Sequence, residues 1–273
     1  MKIQPRTEAE QDRTGQVRSV VRSLTVLRAI AATDNGLTLT EVAERAGLPA
    51  STTHRLLTTL ESERFVRFDA GSGVWQIGVN AFVVGSAFTR TRNLLALAKP
   101  YLRRLMDLTG ETANIFVENG GQVVCLDQVE SRFTMRAITQ VGGRLPMHCS
   151  GSGKALLSQM PPERQARIMS DIPLEQITPH TVVDQGKLIA QLTKARTDGV
   201  AIDDQEHAEG LRCVASCVFG ELGQPIAAIS VSGPTSRITD ARIVEIAANV
   251  QKIAAEITAE FGGTTEPALR SIG

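Results

Sequence analysis

Apolar residues close to the N-terminus recur every three or four positions, which predicts a helix with one apolar stripe. The stripe consists of Val17, Val20, Val21, Leu24, Leu27 and Ala31. The turn-forming run Asp34-Asn35-Gly36 ends this helix. A short second helix is expected next, with Thr40 placed to cap it and with Val42, Ala43 and Ala46 facing inward.

A third helix is predicted directly after the second. Gly47 ends the second helix, Leu48-Pro49 makes a tight turn, and Ser51 or its neighbour is placed to cap the helix that follows. Its buried side is expected to carry Leu56, Leu57 and Leu60. Two short helices joined by a three- to four-residue turn with a glycine are typical of a helix-turn-helix.

Two short strands follow these helices. Phe65–Phe68 alternates in the manner of a strand, residues 69–73 form a turn, and Val74–Ile77 alternates again. A hairpin after a helix-turn-helix is a wing. The pattern therefore predicts a winged helix-turn-helix domain over residues 17–78, which indicates DNA binding.

The third helix would be the recognition helix, whose N-terminal part enters the major groove. Arg55 can donate two hydrogen bonds to a guanine edge, and hydroxyl groups can reach bases or phosphates. The candidate base-reading residues are Ser51, Thr52, Thr53, His54 and Arg55, and the candidate phosphate contacts are Arg64, Arg67, Arg18 and Arg22. Two alternatives stay open: the polar face is merely solvated on a protein–protein module, and His54 packs at the helix edge.

Beyond the wing, residues 79–100 are mostly apolar and small, which predicts a linker helix that packs against a partner chain as well as its own and is broken near 89–93. Pro100 restricts the residue before it, so a new helix is expected over Tyr101–Thr109. The polar segment 1–16 is expected to be a disordered arm, and residues 263–273 a flexible tail.

The remaining segment, 101–262, alternates between strands and helices. Strands are expected at Asn114–Glu118, Gln122–Val129, Phe133–Thr139, Val200–Asp203, about Arg212–Gly220 and about Pro225–Ser232. Helices are expected at about Gly153–Ser158, Glu163–Ser170, Lys187–Thr197 and Asp240–Phe261. Antiparallel strands with inserted helices predict an α+β fold.

Composition narrows the functional class only slightly. Hydrophobic residues make up 42% and charged residues 21% of the 273 positions, as in ordinary globular proteins. The formal net charge is zero, but residues 1–92 hold 12 basic and 9 acidic residues, whereas residues 93–273 hold 17 and 20. With neither a long apolar run nor a signal sequence, we expect a cytoplasmic protein with no membrane contact, whose four cysteines are free thiols.

A Ser/Gly loop leads into a predicted helix at Ser150-Gly151-Ser152-Gly153-Lys154. Backbone N–H groups at such a helix start favour an anion such as a carboxylate, and Ser152 can cap the helix or contact a ligand. The loop is not an ATP-binding P-loop, because His148 and Ala155 stand where that motif needs Gly and Ser or Thr. Polar residues expected to converge on it are Asp203, Cys213, Ser230 and Ser232.

Catalytic and metal-binding interpretations compete with a simple ligand pocket. Cys213 and Cys217 with His148 or His207 suggest zinc, but two thiols four residues apart on a strand are too far apart to chelate one ion easily. A Cys213–His207 dyad lacks a supporting motif. We therefore expect no enzymatic activity, no cofactor and no bound metal.

Three segments together resemble the IclR family of bacterial transcription regulators from about Val17 to Phe261. They are LTEVAERAGLPASTTHRLLTTLESERFV, GRLPMHCSGSGKALL, and EHAEGLRCVAS with IAAISVSGP and RIT. Within the family, GETANIFVENG, SGSGKALL and ISVSGPTSRIT look most like the allantoin- and glyoxylate-responsive repressor branch.

The resemblance implies a winged helix-turn-helix joined to a GAF-like sensor domain and assembled as a dimer of dimers on operator DNA. It places a small carboxylate effector (glyoxylate, a keto acid or a semialdehyde) at Ser150, Gly151 and Ser152, with Asp203, Cys213, Ser230 and Ser232. Cys149 stands where Ala is common and Cys217 where many members carry Pro, so the pocket size can differ. A repressor is expected; an activator and a thiol-based redox sensor are the alternatives.

Overall fold

A computed structural model describes residues 16–91, 94–137 and 139–265, without the side chains of 86–91. The chain divides into two compact units, residues 1–92 and residues 93–273. Residues 1–15 of the predicted arm and residues 266–273 of the predicted tail lie outside the described residues, so both stay predictions.

The N-terminal unit contains the predicted three helices and hairpin. Its elements are α1 (Arg18–Ala31), α2 (Leu39–Ala46), α3 (Ala50–Ser62), β1 (Val66–Asp69), β2 (Val74–Ile77) and α4 (Val79–Thr91). The two strands pair antiparallel, and Leu37 adds a bridge to Trp75. The small core that joins helices and wing consists of Val26, Ile30, Leu37, Val42, Leu57, Val66 and Trp75.

The predicted helix caps differ from the observed ones. Thr38, not Thr40, caps α2: its side chain accepts from the Glu41 N–H, and the Glu41 carboxylate accepts from the Thr38 N–H at 2.8 Å. Gly47 ends α2 with a φ of 64°, which glycine adopts without strain. The residue before α3 is Pro49, and no side chain caps that helix, so Ser51 is not its cap.

The apolar stripe predicted for α1 is mostly outside the core. Val17, Val20, Val21 and Leu24 are exposed, and Val26 and Ile30 are the buried residues of this helix. The helix was predicted correctly, but helical spacing shows only that a helix has an apolar side and not which surface covers it.

The linker predicted over 79–100, with a break near 89–93, corresponds to two helices. The first is α4, and α5 (Leu94–Thr109) runs through Pro100, where a new helix was expected. Proline removes one backbone hydrogen bond, but it does not end this helix, because the inner side of α5 stays buried on both sides of it, at Ala98 and Leu102.

The C-terminal unit is an α+β domain built on one antiparallel sheet, as predicted. Its other elements are β3 (Thr112–Asn119), β4 (Gln122–Val129), β5 (Arg144–Pro146), α6 (Gly151–Gln159), α7 (Pro162–Asp171), α8 (Gln185–Asp198), β6 (Ala201–Asp204), β7 (Leu211–Phe219), β8 (Pro225–Pro234) and α9 (Asp240–Glu260). The strand order is β5-β4-β3-β8-β7-β6.

Alternate residues along the strands supply two cores. Ile115, Val214 and Ile229 belong to the cluster that includes α5 and α9, whereas their neighbours Phe116, Ala215 and Ala228 belong to the cluster of α6, α7 and α8. The sheet is therefore buried on both faces, with helices on each.

The strand predicted at Phe133–Thr139 is absent from the described residues of that segment, which excludes Ile138. The outer edge of β4 pairs instead with β5, a strand that was not predicted. Arg237 contacts the segment that was predicted as a strand: its guanidinium lies over the Phe133 ring at 4.5 Å and donates to the Met135 carbonyl at 2.9 Å. Among the described residues, no helix is long and apolar enough to cross a membrane.

Candidate functional sites

The exposed face of α3 carries most of the predicted base-reading residues. Ser51, His54 and Arg55 are exposed, and Thr52 is half-buried. Leu57 is buried on the opposite side, so the helix is fixed by its apolar face and leaves a polar N-terminal surface. This arrangement agrees with a recognition helix.

Thr53 was predicted among these residues and does not belong with them. Its side chain is fully buried, and its hydroxyl donates to the Pro49 carbonyl at 3.1 Å. The residue stands one turn before Leu57, on the inner side of α3. The hydroxyl can be buried on this side of the helix because it is hydrogen-bonded to the backbone.

The four arginines predicted to contact phosphate, Arg64, Arg67, Arg18 and Arg22, are all exposed. Arg64 follows α3 with a φ of 59°, and its backbone carbonyl accepts from the Asn80 N–H at 3.1 Å. Arg67 lies on the first wing strand, and the other two lie on the first turns of α1.

In the C-terminal unit, strand register brings the predicted pocket residues together. Asp203 pairs with Cys213, Cys213 with Ser232, and Ser232 with Thr112 across four strands. The row beside it holds Ser230, flanked by Ala215 and Asn114. One end of the sheet face under α6 is therefore polar, whereas the rest of that face is apolar.

The start of α6 lies against this polar patch. Ser150 caps the helix: its hydroxyl accepts from the Gly153 N–H at 3.2 Å and donates to the Pro146 carbonyl at 2.6 Å. Among the described residues, the N–H groups of Gly151 and Ser152 have no hydrogen-bond partner. Two donors and the positive end of the helix dipole thus remain available at this point.

The glycines in this loop permit the close packing. A Cβ on Gly151 would lie 2.9 Å from the Cys213 sulfur, and one on Gly153 would lie 2.5 Å from the Met147 carbonyl oxygen. Both separations are below van der Waals contact, so only glycine lets α6 start this close to β7 and to the preceding chain.

A cavity of about 610 Å³ opens over the loop and the polar row. Its lining includes the predicted residues Ser150, Gly151, Ser152, Asp203, Cys213 and Ser232. Ser230 does not line it and is fully buried in the sheet. The predicted pocket set did not include Arg136, Thr139 and His207, which lie on connecting segments, or Arg144, which begins the unpredicted strand β5, because none of them has a local motif.

Several buried polar atoms at this end of the sheet lack a partner among the described residues. They are Ser152 Oγ, Ser230 Oγ and Asn114 Oδ1. Asn114 was not predicted, although an Asn inside an otherwise apolar strand was a visible signal. Because an unpaired buried polar atom costs about 1–3 kcal/mol, such atoms mark a place where a ligand or water binds.

A buried ion pair lies beside the cavity. Lys154 of α6 pairs with Glu206 and also donates to Gln191 Oε1 at 3.2 Å, and the lysine side chain is 2% exposed. Asp203 Oδ1 accepts from the Glu206 N–H at 2.8 Å and the His207 N–H at 3.2 Å. Burial raises the pKa of Asp203 to about 7, against the opposing effect of Lys154.

The cysteines have the properties of buried small side chains. All four are buried and unbridged. Burial raises the pKa of Cys149 to about 12 and that of Cys213 to about 11, so both are thiols rather than reactive thiolates at neutral pH. Within the described part of the chain, no cluster of three or more His, Cys, Asp or Glu could hold a metal ion.

Both units match family profiles. The IclR helix-turn-helix domain matches residues 19–70, and the C-terminal domain of bacterial transcriptional regulators of the IclR type matches residues 86–259. The chain is 47% identical to the acetate operon repressor of Salmonella typhimurium over 253 residues, covering 92% of each chain. It is 38% identical to the repressor AllR of Escherichia coli K12 over 246 residues, covering 90% of this chain and 91% of AllR.

Solved structures agree with the fold. A regulator from Alicyclobacillus acidocaldarius superimposes with a TM-score of 0.80 at 25% identity, covering 91% of this chain and 100% of that one. The IclR protein of Thermotoga maritima superimposes with a TM-score of 0.72 at 25% identity, covering 90% and 100%.

A winged helix-turn-helix with an exposed polar recognition helix, followed by a separate domain with a polar cavity, defines a class of two-domain DNA-binding regulator. The chain belongs to the IclR family of bacterial transcriptional regulators, as the sequence resemblance predicted. It is a DNA-binding transcriptional repressor of that family.

Proposed function

We propose that the C-terminal unit senses a small organic acid, which binds in the cavity over α6 and changes the affinity of the repressor for its operator. The observation that carries this proposal is the start of α6, where two N–H groups and the Ser152 hydroxyl are without partners. Helix starts of this kind bind carboxylate groups. The effect on DNA requires different effector affinities in two states of the repressor.

The composition and size of the cavity support a carbonyl acid of a few carbons. Arg136 and Arg144 lie on its wall, where they favour an anion, and Phe116 and Leu145 add apolar surface. A volume of about 610 Å³ falls within the range of small-molecule sites and has room for a keto acid or semialdehyde as well as glyoxylate. The 47% identity with a repressor named for the acetate operon is consistent with a small carboxylate.

Replacing Ser152 with alanine tests the pocket. We expect about 10- to 100-fold weaker effector binding, because a hydrogen bond to a charged group contributes about 1.5–3 kcal/mol. Calorimetry with glyoxylate, pyruvate and succinic semialdehyde measures the change. Ser158→Ala is the matched control, since that buried serine lies in the same helix and donates only to the Ala155 carbonyl. Equal binding by wild type and Ser152→Ala would argue against the proposed pose.

Operator recognition is tested at Arg55. We expect Arg55→Ala to weaken operator binding by about 5- to 150-fold, because one bidentate base contact contributes about 1–3 kcal/mol. Fluorescence anisotropy on an operator selected from random DNA, compared with a scrambled duplex, gives the specificity ratio. Arg103→Ala removes the same exposed charge from the other unit and should leave that ratio unchanged. A ratio that stays constant in Arg55→Ala would show that α3 does not read bases through this residue.

We further propose that the repressor self-associates through the N-terminal unit. Val20 and Val21 of α1 and Val79, Phe82 and Val84 of α4 are exposed apolar residues on two of its helices. Exposed apolar surface of this kind marks interaction sites. A twofold dimer would present two recognition helices to two operator half-sites, and a dimer of dimers would extend the same arrangement.

A further inference from the structure

Asp203 has an unusual environment for a carboxyl group next to an anion site. The residue is buried and lines the cavity. Its Oδ1 accepts two backbone N–H groups, whereas its Oδ2 has no hydrogen-bond partner among the described residues. Asp203 pairs with Cys213 across the sheet, and Gly151 packs on Cys213, so the carboxyl lies one strand away from the start of α6.

Among the described residues, Asp203 has no ion-pair partner. Lys154 of α6 is the nearest buried cation, but it is paired with Glu206 and Gln191. On the cavity wall, Arg136 pairs with Glu130, and Arg144 bonds to Asn119 and Gln122. The other titratable groups around Asp203 and its cavity are Cys149, Cys213, His207 and Glu209.

The charges of the buried groups beside the cavity limit how an acid can bind there. With Lys154, Glu206 and Asp203 all ionised, this buried group carries one net negative charge. A bound carboxylate would raise this buried total to two negative charges, which the wall arginines offset only in part, because Arg136 is already paired with Glu130 and Arg144 is an exposed side chain. Two carboxylates that share a buried site retain one proton between them, because like charges at short range disfavour full ionisation.

We propose that Asp203 binds the effector as a neutral carboxylic acid, donating a hydrogen bond from Oδ2 to the effector, so that binding takes up one proton. This inference rests on the proposed function. Asp203 would then select anions, because a neutral acid donates to a carboxylate that an ionised one would repel.

The electrostatics of the free protein agree with this role. Burial raises the pKa of Asp203 to about 7, so the group is mostly protonated below pH 7 and ionises above it. Burial lowers the pKa of His207, so the imidazole is already neutral above pH 7. The thiols of Cys149 and Cys213 titrate near 12 and 11. Between pH 7 and 9, a change in effector affinity at this cavity is thus assigned to Asp203.

The test is calorimetry of pyruvate and glyoxylate on the full-length repressor at pH 7, 8 and 9. Above the pKa of Asp203 in the free protein, we expect the dissociation constant to rise about 10-fold per pH unit, as linkage to one proton requires. At pH 8 the observed enthalpy should vary with the ionisation enthalpy of the buffer by close to one proton taken up. This second readout uses the wild-type protein and needs no variant.

Two variants complete the experiment. Asp203→Asn should bind with an affinity that does not change between pH 7 and 9, whereas Glu209→Gln, an exposed carboxylate on the cavity rim, should keep the wild-type slope. A wild-type affinity constant over this pH range, or a slope retained in Asp203→Asn, would overturn the inference and leave the effector site standing. Absence of binding by every acid at every pH would overturn both the inference and the proposed function.

Discussion

Replacing Glu206 with alanine is expected to lower the free energy of unfolding of the C-terminal unit by about 3–5 kcal/mol. The substitution leaves the ammonium group of Lys154 buried without its carboxylate. A charge in that position must be desolvated without compensation, which costs far more than an average contact. Gln191 stays as a hydrogen-bond acceptor but carries no charge.

The experiment uses two signals from the full chain. Trp75, the one tryptophan of the sequence, lies in the core of the N-terminal unit, so its fluorescence follows that unit. Far-UV circular dichroism follows mainly the larger C-terminal unit. Glu206→Ala should shift the circular dichroism transition in urea to lower concentration and leave the fluorescence transition in place.

Two controls separate a buried charge from a lost surface contact. Asp198→Ala breaks the exposed pair of Lys194 and Asp198, and it should change stability by less than about 1 kcal/mol. The double variant Lys154→Met with Glu206→Leu removes both charges and should recover most of the stability. A Glu206→Ala variant as stable as Asp198→Ala would contradict the expectation.

Replacing Phe82 with glutamate is expected to convert the repressor to a smaller assembly and to weaken operator binding by ~10²-fold or more. Phe82 is 75% exposed, so the change should leave the fold of its own unit intact. A charge within an apolar contact opposes association of the two chains. A monomer then binds the operator with one recognition helix, without the gain in affinity that a second, linked helix provides.

Light scattering at several concentrations measures the molar mass, and anisotropy measures operator affinity. Val244→Glu is the matched control, because Val244 of α9 is 74% exposed and belongs to the other unit. That variant should behave like the wild type. If Phe82→Glu kept both the wild-type mass and the wild-type affinity, the proposed interface would be wrong.

Local patterns predicted most elements of the fold, and their failures have local explanations. The helix-turn-helix and the wing follow from apolar spacing, Gly47 and the turn over 69–73. Thr53 was assigned to the base-reading face because its side chain is polar. The helical repeat already placed it one turn before the apolar Leu57, on the inner side of α3. The segment Phe133–Thr139 has the alternation of a strand, but alternation cannot show that the neighbouring edge pairs with β5 instead.

Local signals were enough to predict the helices, the main strands and the Ser/Gly loop, because capping, turn chemistry and periodicity act within a few residues. The folded structure was needed to show that one row across the sheet holds Thr112, Asp203, Cys213 and Ser232, since register between segments up to 120 residues apart has no local signal. It also decided which serine caps α6 and which one stays free. The raised pKa of Asp203 also has no local signal. It depends on the burial of the carboxyl and on the ion pair between Lys154 and Glu206, and both arise only when distant segments pack together.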